Sequence, residues 1–169
     1  MTQQLLTKKY REALGYKEHA GSISVRRAST ALPDVDWITA IKNERSPLNM
    51  LVPMNAISMV HGIYCYAISG RLKQHIDCVS PNEMTSGIIL QCSDDLELNA
   101  WGKKIPVKTG DQFLLDPHRS HGADTKGLLV FAALDEDISK LMNADQALSY
   151  FIAKLSILAS EFPLQKDAS

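Results

Sequence analysis

The chain has 169 residues, 45 % apolar and 22 % charged, which is enough to bury one domain-sized core. Lys and Arg number 18 against 19 Asp and Glu, and the net charge of −1 excludes a general polyanion binder that works through bulk charge. Ordinary Gly and Pro content excludes low-complexity and collagen-like chains, and no apolar run has the length of a membrane span.

Met1 to Leu6 shows no basic stretch followed by an apolar one, so no secretory signal is expected. Cys65, Cys78 and Cys92 form no CxxC pair and read as free thiols in a reducing compartment, with Cys65 and Cys92 as small core residues. A cytoplasmic single-domain protein is expected. Residues 1–56 would form an N-terminal extension, 57–135 a β-core, and 136–169 a C-terminal helix and tail.

In chain order, Thr2 to Tyr16 places Leu5, Leu6, Tyr10 and Leu14 at helical spacing and predicts a short amphipathic helix. Ser22 to Val25 alternates and predicts a strand. Pro33 and Asp34 mark a second helix start, with Trp37, Ile38 and Ile41 on one face. Arg45 to Met54 reads as loop. From Ile57 the texture turns to short β-type runs, each closed by turn residues: Ile63 to Ile68, Leu72 to Val79, Ser86 to Cys92, Leu96 to Trp101, Ile105 to Val107, Gln112 to Leu115 and Gly127 to Leu134. Trp101-Gly102-Lys103-Lys104 reads as a hairpin turn. No helical pattern separates these runs, which argues a sandwich or barrel rather than βαβ units. Asp137 can cap a C-terminal helix and Asp145 can restart it. Leu148, Phe151, Ile152, Leu155 and Leu158 then form an apolar stripe that packs on the barrel, or alternatively forms a homodimer contact.

Two segments carry candidate chemistry. In a strand, residues i and i+2 share a face, so His75 and Asp77 can offer a nitrogen and an oxygen to one metal. Farther on, Gly110-Asp111 feeds the apolar run Gln112 to Leu115, Asp116-Pro117 breaks it, and His121 opens the next segment. Two histidines and one carboxylate on one side of a metal suit non-haem Fe(II) and leave positions open. His118 competes with His121, but the distance from Gly110 favours His121. His61 reads as structural or exposed, and His19 as exposed. Lys8-Lys9, Arg11 and Arg26-Arg27 can touch phosphate, although a solvated helix face accounts for them.

On His75-x-Asp77, on Leu96 to Val107 leading into Gly110-Asp111, and on His121 after its proline turn, residues 57–134 resemble the core of the Fe(II)- and 2-oxoglutarate-dependent oxygenases. The resemblance implies a mainly β fold: a double-stranded β-helix (jelly-roll or cupin-like barrel) flanked by N-terminal helices and a C-terminal helix. It also implies His75, Asp77 and His121 as iron ligands, and hydroxylation of a small-molecule or exposed macromolecular substrate. Those oxygenases place an Arg or Lys on the last core strand for the far carboxylate of 2-oxoglutarate. Gly127 to Leu134 has none, which leaves Arg71, Arg119, Lys126, Tyr64 and Tyr66 as candidates. Cupins share the fold but favour an HxH pair with a glutamate. A metal-dependent cupin-like enzyme or ligand sensor is therefore one alternative, and a non-catalytic barrel with protein partners is another.

Overall fold

The computed structural model describes residues 8–33, 63–77, 81–137 and 140–161. Helix α1 (Lys8–Ala13) leads into strands β1 (Glu18–Ala20) and β2 (Ile23–Arg27). The barrel proper is β3 (Tyr64–Ser69), β4 (Leu72–His75), β5 (Glu83–Cys92), β6 (Glu97–Ala100), β7 (Lys103–Pro106), β8 (Asp111–Leu115), β9 (His121–Asp124) and β10 (Leu128–Asp137). Helix α2 (Ala144–Glu161) closes the described chain. One sheet has six strands in the order β1-β2-β8-β5-β10-β3, and the other has four in the order β4-β9-β6-β7. All the strand pairings among the described residues are antiparallel.

That order identifies the architecture. Within β3 to β10, the first strand pairs with the last, and the second pairs with the one before last. Eight strands folded back on themselves in this way make a jelly roll, or double-stranded β-helix. Strands β1 and β2 extend the larger sheet beyond β8.

Alternation along the strands serves two cores. Ile89, Phe113, Ala123, Leu129 and Ala133 point between the sheets, where Ile23, Leu98 and Ile105 meet them. Ile88, Leu90, Ala132 and Leu134 point outward onto Leu148, Phe151 and Leu155 of α2. Leu148, Phe151 and Leu155 of the expected stripe are thus buried against the barrel's outer face, with Ile152 partly buried beside them. A register shift between Val130 and Phe131 lets β5 carry an extra residue, and Cys92 packs against the inner core beyond it. A smaller cluster of Tyr16, Met84 and Leu114 lies under α1.

Several sequence expectations shift. Helix α1 ends at Ala13 because Gly15 takes a left-handed φ of 93°. Strand β1 was not expected, since Glu18-His19-Ala20 has no apolar alternation; pairing with β2 creates it. Strand β4 ends at His75 rather than at Val79, so Asp77 stands just beyond it. Asp137 ends β10, and α2 starts only at Ala144. Asn143 caps α2 instead, its Oδ1 accepting the Gln146 N–H at 2.9 Å while the Gln146 side chain accepts the Asn143 N–H. Asp145 accepts the N–H and hydroxyl of Ser29. Arg26 is buried, not solvated. The hairpin at Trp101 and Gly102 is as expected; both have positive φ, 55° and 79°. The helix expected after Pro33, the loop from Arg45 to Met54, His61 and Cys78 lie outside the described residues. No described helix is long and apolar enough to cross a membrane.

Candidate metal centre

Strands β4 and β9 run antiparallel and set His75 directly opposite His121. Their rings meet edge to face, with centroids 4.5 Å apart. Register decides which way they point. Leu72 lies opposite Ala123, so three steps along β4 match two along β9. Without that irregularity, His75 would face away from Leu72, which packs on the inner core. With it, His75 joins Leu72, Ala123 and His121 on the inner face.

The irregularity needs Gly122. A Cβ there would lie 2.6 Å from the Leu72 carbonyl and 2.8 Å from Gln74 Nε2. Gln74 holds the same place from the other side. Its Nε2 donates to the Asn99 carbonyl, and its Oε1 accepts the Ser120 hydroxyl at 3.0 Å. Neither Gly122 nor Gln74 stood out in the sequence, although a His-Gly pair opening a strand was the available signal.

Asp77 reaches the histidines from the segment after β4. Its N–H donates to the Pro117 carbonyl at 2.7 Å. Asp116 to Arg119 is a turn, closed by Arg119 N–H on the Asp116 carbonyl, and it holds Asp77 against β9. Asp77 Oδ2 lies 3.1 Å from His121 Nε2, and Oδ1 lies 3.6 Å from His75 Nε2. One ligand atom from each residue falls within 4.8 Å of the others.

Both rings are oriented by their second nitrogen. His75 Nδ1–H donates to the Lys73 carbonyl at 2.7 Å, and His121 Nδ1–H donates to the Arg119 carbonyl at 2.8 Å. A carbonyl can only accept, so both Nδ1 atoms carry the proton and both Nε2 atoms turn toward Asp77. Two imidazole nitrogens beside a carboxylate form a donor set that a divalent cation satisfies. The His121 side chain is 6 % exposed, whereas His75 and Asp77 are 37 % and 41 % exposed, so the group sits on the inner rim and opens to solvent.

The other sequence candidates lie elsewhere. Arg71 pairs with Asp124 at 3.2 Å, where Lys104 and Asn99 also meet that carboxylate. Lys126 is exposed in the turn after β9, its N–H on Asp95. Both belong to the end of β9 away from His121. Arg119 turns its Nε to Asp116, and His118 Nδ1 bonds Asp116 at 2.8 Å, so the structure brings His121 and not His118 to the group. Tyr64 and Tyr66 lie on β3, with side chains outside the described part. His19, expected to be exposed, is half-buried and bonds Ser24 at 2.8 Å. A cavity of about 840 Å³ opens at the other end of the barrel, by Arg27, Ser93 and Thr109, and none of the three convergent side chains lines it.

No protein-family model matches the chain, and no curated protein matches it. Among solved structures, the chain is similar to the Cupin_2 domain of an XRE family transcriptional regulator from Enterobacter cloacae. Identity is 12 % and the TM-score 0.37, over 53 % of this chain and 90 % of that one. It is also similar to a predicted oxalate decarboxylase from Thermotoga maritima, at 16 % identity and a TM-score of 0.36 over 73 % and 92 % of the two chains. A third is a salicylate 1,2-dioxygenase variant from Pseudoaminobacter salicylatoxidans, at 10 % identity and a TM-score of 0.35; the alignment takes in 88 % of this chain but 34 % of that one. Likeness this slight transfers no substrate and no chemistry.

Proposed function

We propose that the chain is a non-haem Fe(II) oxygenase that holds one metal on His75, Asp77 and His121 and uses 2-oxoglutarate as co-substrate. One observation carries this reading: two imidazoles and one carboxylate converge, their ligand atoms within 4.8 Å of one another. That donor set suits Fe(II) and leaves positions for a chelating acid and for O₂. Bound iron supplies the oxygen chemistry that no side chain performs, with hydroxylation as the simplest outcome.

The chain's own residues supply geometry. The Lys73 and Arg119 carbonyls fix both imidazoles with Nε2 forward. The Pro117 carbonyl pins the backbone that carries the carboxylate. The solvent-facing sides of His75 and Asp77 let a small molecule, or an exposed segment of a larger one, approach the metal.

A second reading keeps the metal and drops 2-oxoglutarate. It is favoured by the placement of Arg71, Arg119 and Lys126, which face Asp124, Asp116 and solvent. The far carboxylate of 2-oxoglutarate, taken out of water, needs a cationic partner. Anaerobic Fe(II) titration with and without 2-oxoglutarate separates the two. A visible charge-transfer band that requires both components supports the first reading. Stoichiometric metal uptake with no response to the acid selects the second. Absence of uptake removes both and leaves a non-catalytic barrel.

A further inference from the structure

Under α1, on the outer side of the larger sheet, lies a cavity of about 100 Å³ bordered by Arg11, Ser22, Met84, Leu114, Asp116 and Arg119. It is separate from the inner rim. Leu114 and Met84 belong to the cluster beneath α1, whereas His121 and Ala123 face between the sheets.

Two guanidinium groups border this one small space. Arg11 donates through Nη1 to Ser24 Oγ at 2.9 Å, but its Nε is buried without a hydrogen-bond partner. Burial and the neighbouring charge of Arg119 both push the Arg11 guanidinium below its ordinary value. Asp116 is the acid at the cavity, and it is divided. Its Oδ1 accepts the N–H and Nδ1–H of His118, and its Oδ2 meets Arg119 Nε at 3.5 Å. Glu12, whose charge also reaches Arg11, is shared with Lys8 at 3.8 Å and His19 at 3.9 Å, and Asp116 is shared with His118, so neither carboxylate serves the two arginines alone, and an orphaned buried donor is costly.

We propose that this cavity binds a phosphate group, clamped between Arg11 and Arg119. Guanidinium forks match the oxygens of a tetrahedral anion two at a time. The volume is well below the roughly 300 Å³ of a drug-sized pocket, so it admits one such group and not a whole ligand. Free phosphate and a phosphate ester share this chemistry. The site does not depend on the metal reading. It does touch the same turn, since the Arg119 and Pro117 carbonyls hold His121 and Asp77.

Thermal unfolding of the full chain in phosphate or phenyl phosphate, against sodium chloride at matched ionic strength, tests the proposal. Phosphate at tenfold excess over its Kd raises Tm by about 3–6 °C, and the rise saturates. Arg119→Gln, at an exposed side chain, and Arg11→Gln each lose the rise; Lys8→Gln, exposed on the same helix, keeps it. A rise with inorganic phosphate alone identifies a free-ion site, and a rise with the ester, alone or as well, identifies a phosphomonoester site. No rise beyond chloride with either anion, or an undiminished rise in Arg119→Gln, overturns the proposal.

Discussion

Gly122 shows how one missing side chain positions two others. Its neighbours Leu72 O and Gln74 Nε2 lie where a methyl group would have to go. Gly122→Ala therefore pushes β4 off β9 and separates His75 from His121. The expected result is a loss of Fe(II) affinity of at least about tenfold, as for other changes that disturb the support of metal ligands, read by anaerobic titration. Wild-type affinity in a folded Gly122→Ala protein would count against this role. Tyr16 offers a separate residue-scale test. Burial raises its phenol to about 12, although Arg26 stacked over the ring at 4.3 Å opposes the shift. The folded value lies above the ordinary 10, so the folded chain resists ionisation that the unfolded chain accepts. Stability is unaffected below pH 10 and declines as pH rises from about 10 to about 12, by about 1 kcal/mol at pH 11. Tyr16→Phe removes that share of the alkaline loss, measured by urea unfolding at pH 8 and pH 11.

Elements were legible where turn residues punctuated apolar runs. Ser93-Asp94-Asp95, Thr109-Gly110 and Asp116-Pro117 each fall at a real strand boundary. Where boundaries slipped, tertiary contacts had overruled local signals. Asp135 and Glu136 read as a turn, yet β10 runs through them because Thr85 and Ser86 on β5 donate their hydroxyls to both acids. The β6–β7 hairpin carries Trp101 in a left-handed conformation, 81 % exposed, where Asn or Gly is preferred. Trp101→Asn should stabilise the protein by about 1 kcal/mol, a gain that chemical denaturation reads directly; a loss of stability would mean that the indole makes a contact of its own. Helix α2 depends on its stripe. Phe151, 1 % exposed against the sheet, should cost about 3–5 kcal/mol when cut to Ala, and a change under 1 kcal/mol would show that the helix is not bound there.

At the scale of the whole molecule, the jelly roll brings strands distant in sequence together, and the site depends on that closure. Strand β4 meets β9 only because the chain has folded back on itself, so the chemistry could be read in the sequence as two fragments, His75-x-Asp77 and His121. Their meeting could not be read there, because the β4 register irregularity and the Pro117 carbonyl are tertiary facts. The same distance in sequence hid the approach of Arg11 to Arg119; Arg11 was read as part of a solvated helix face and Arg119 as a candidate partner for 2-oxoglutarate. Arg71 and Lys126 were plausible partners for an acid by sequence position; the strand direction of β9 carries them to its other end.

The most direct measurement is the stoichiometry of anaerobic Fe(II) binding in four proteins: wild type, His75→Ala, His121→Ala and His118→Ala. Convergence of His75, Asp77 and His121 on a single ion predicts one Fe(II) per chain in the wild type and in His118→Ala, and none in the other two. Full binding in folded His121→Ala, or its loss in folded His118→Ala, would contradict that geometry.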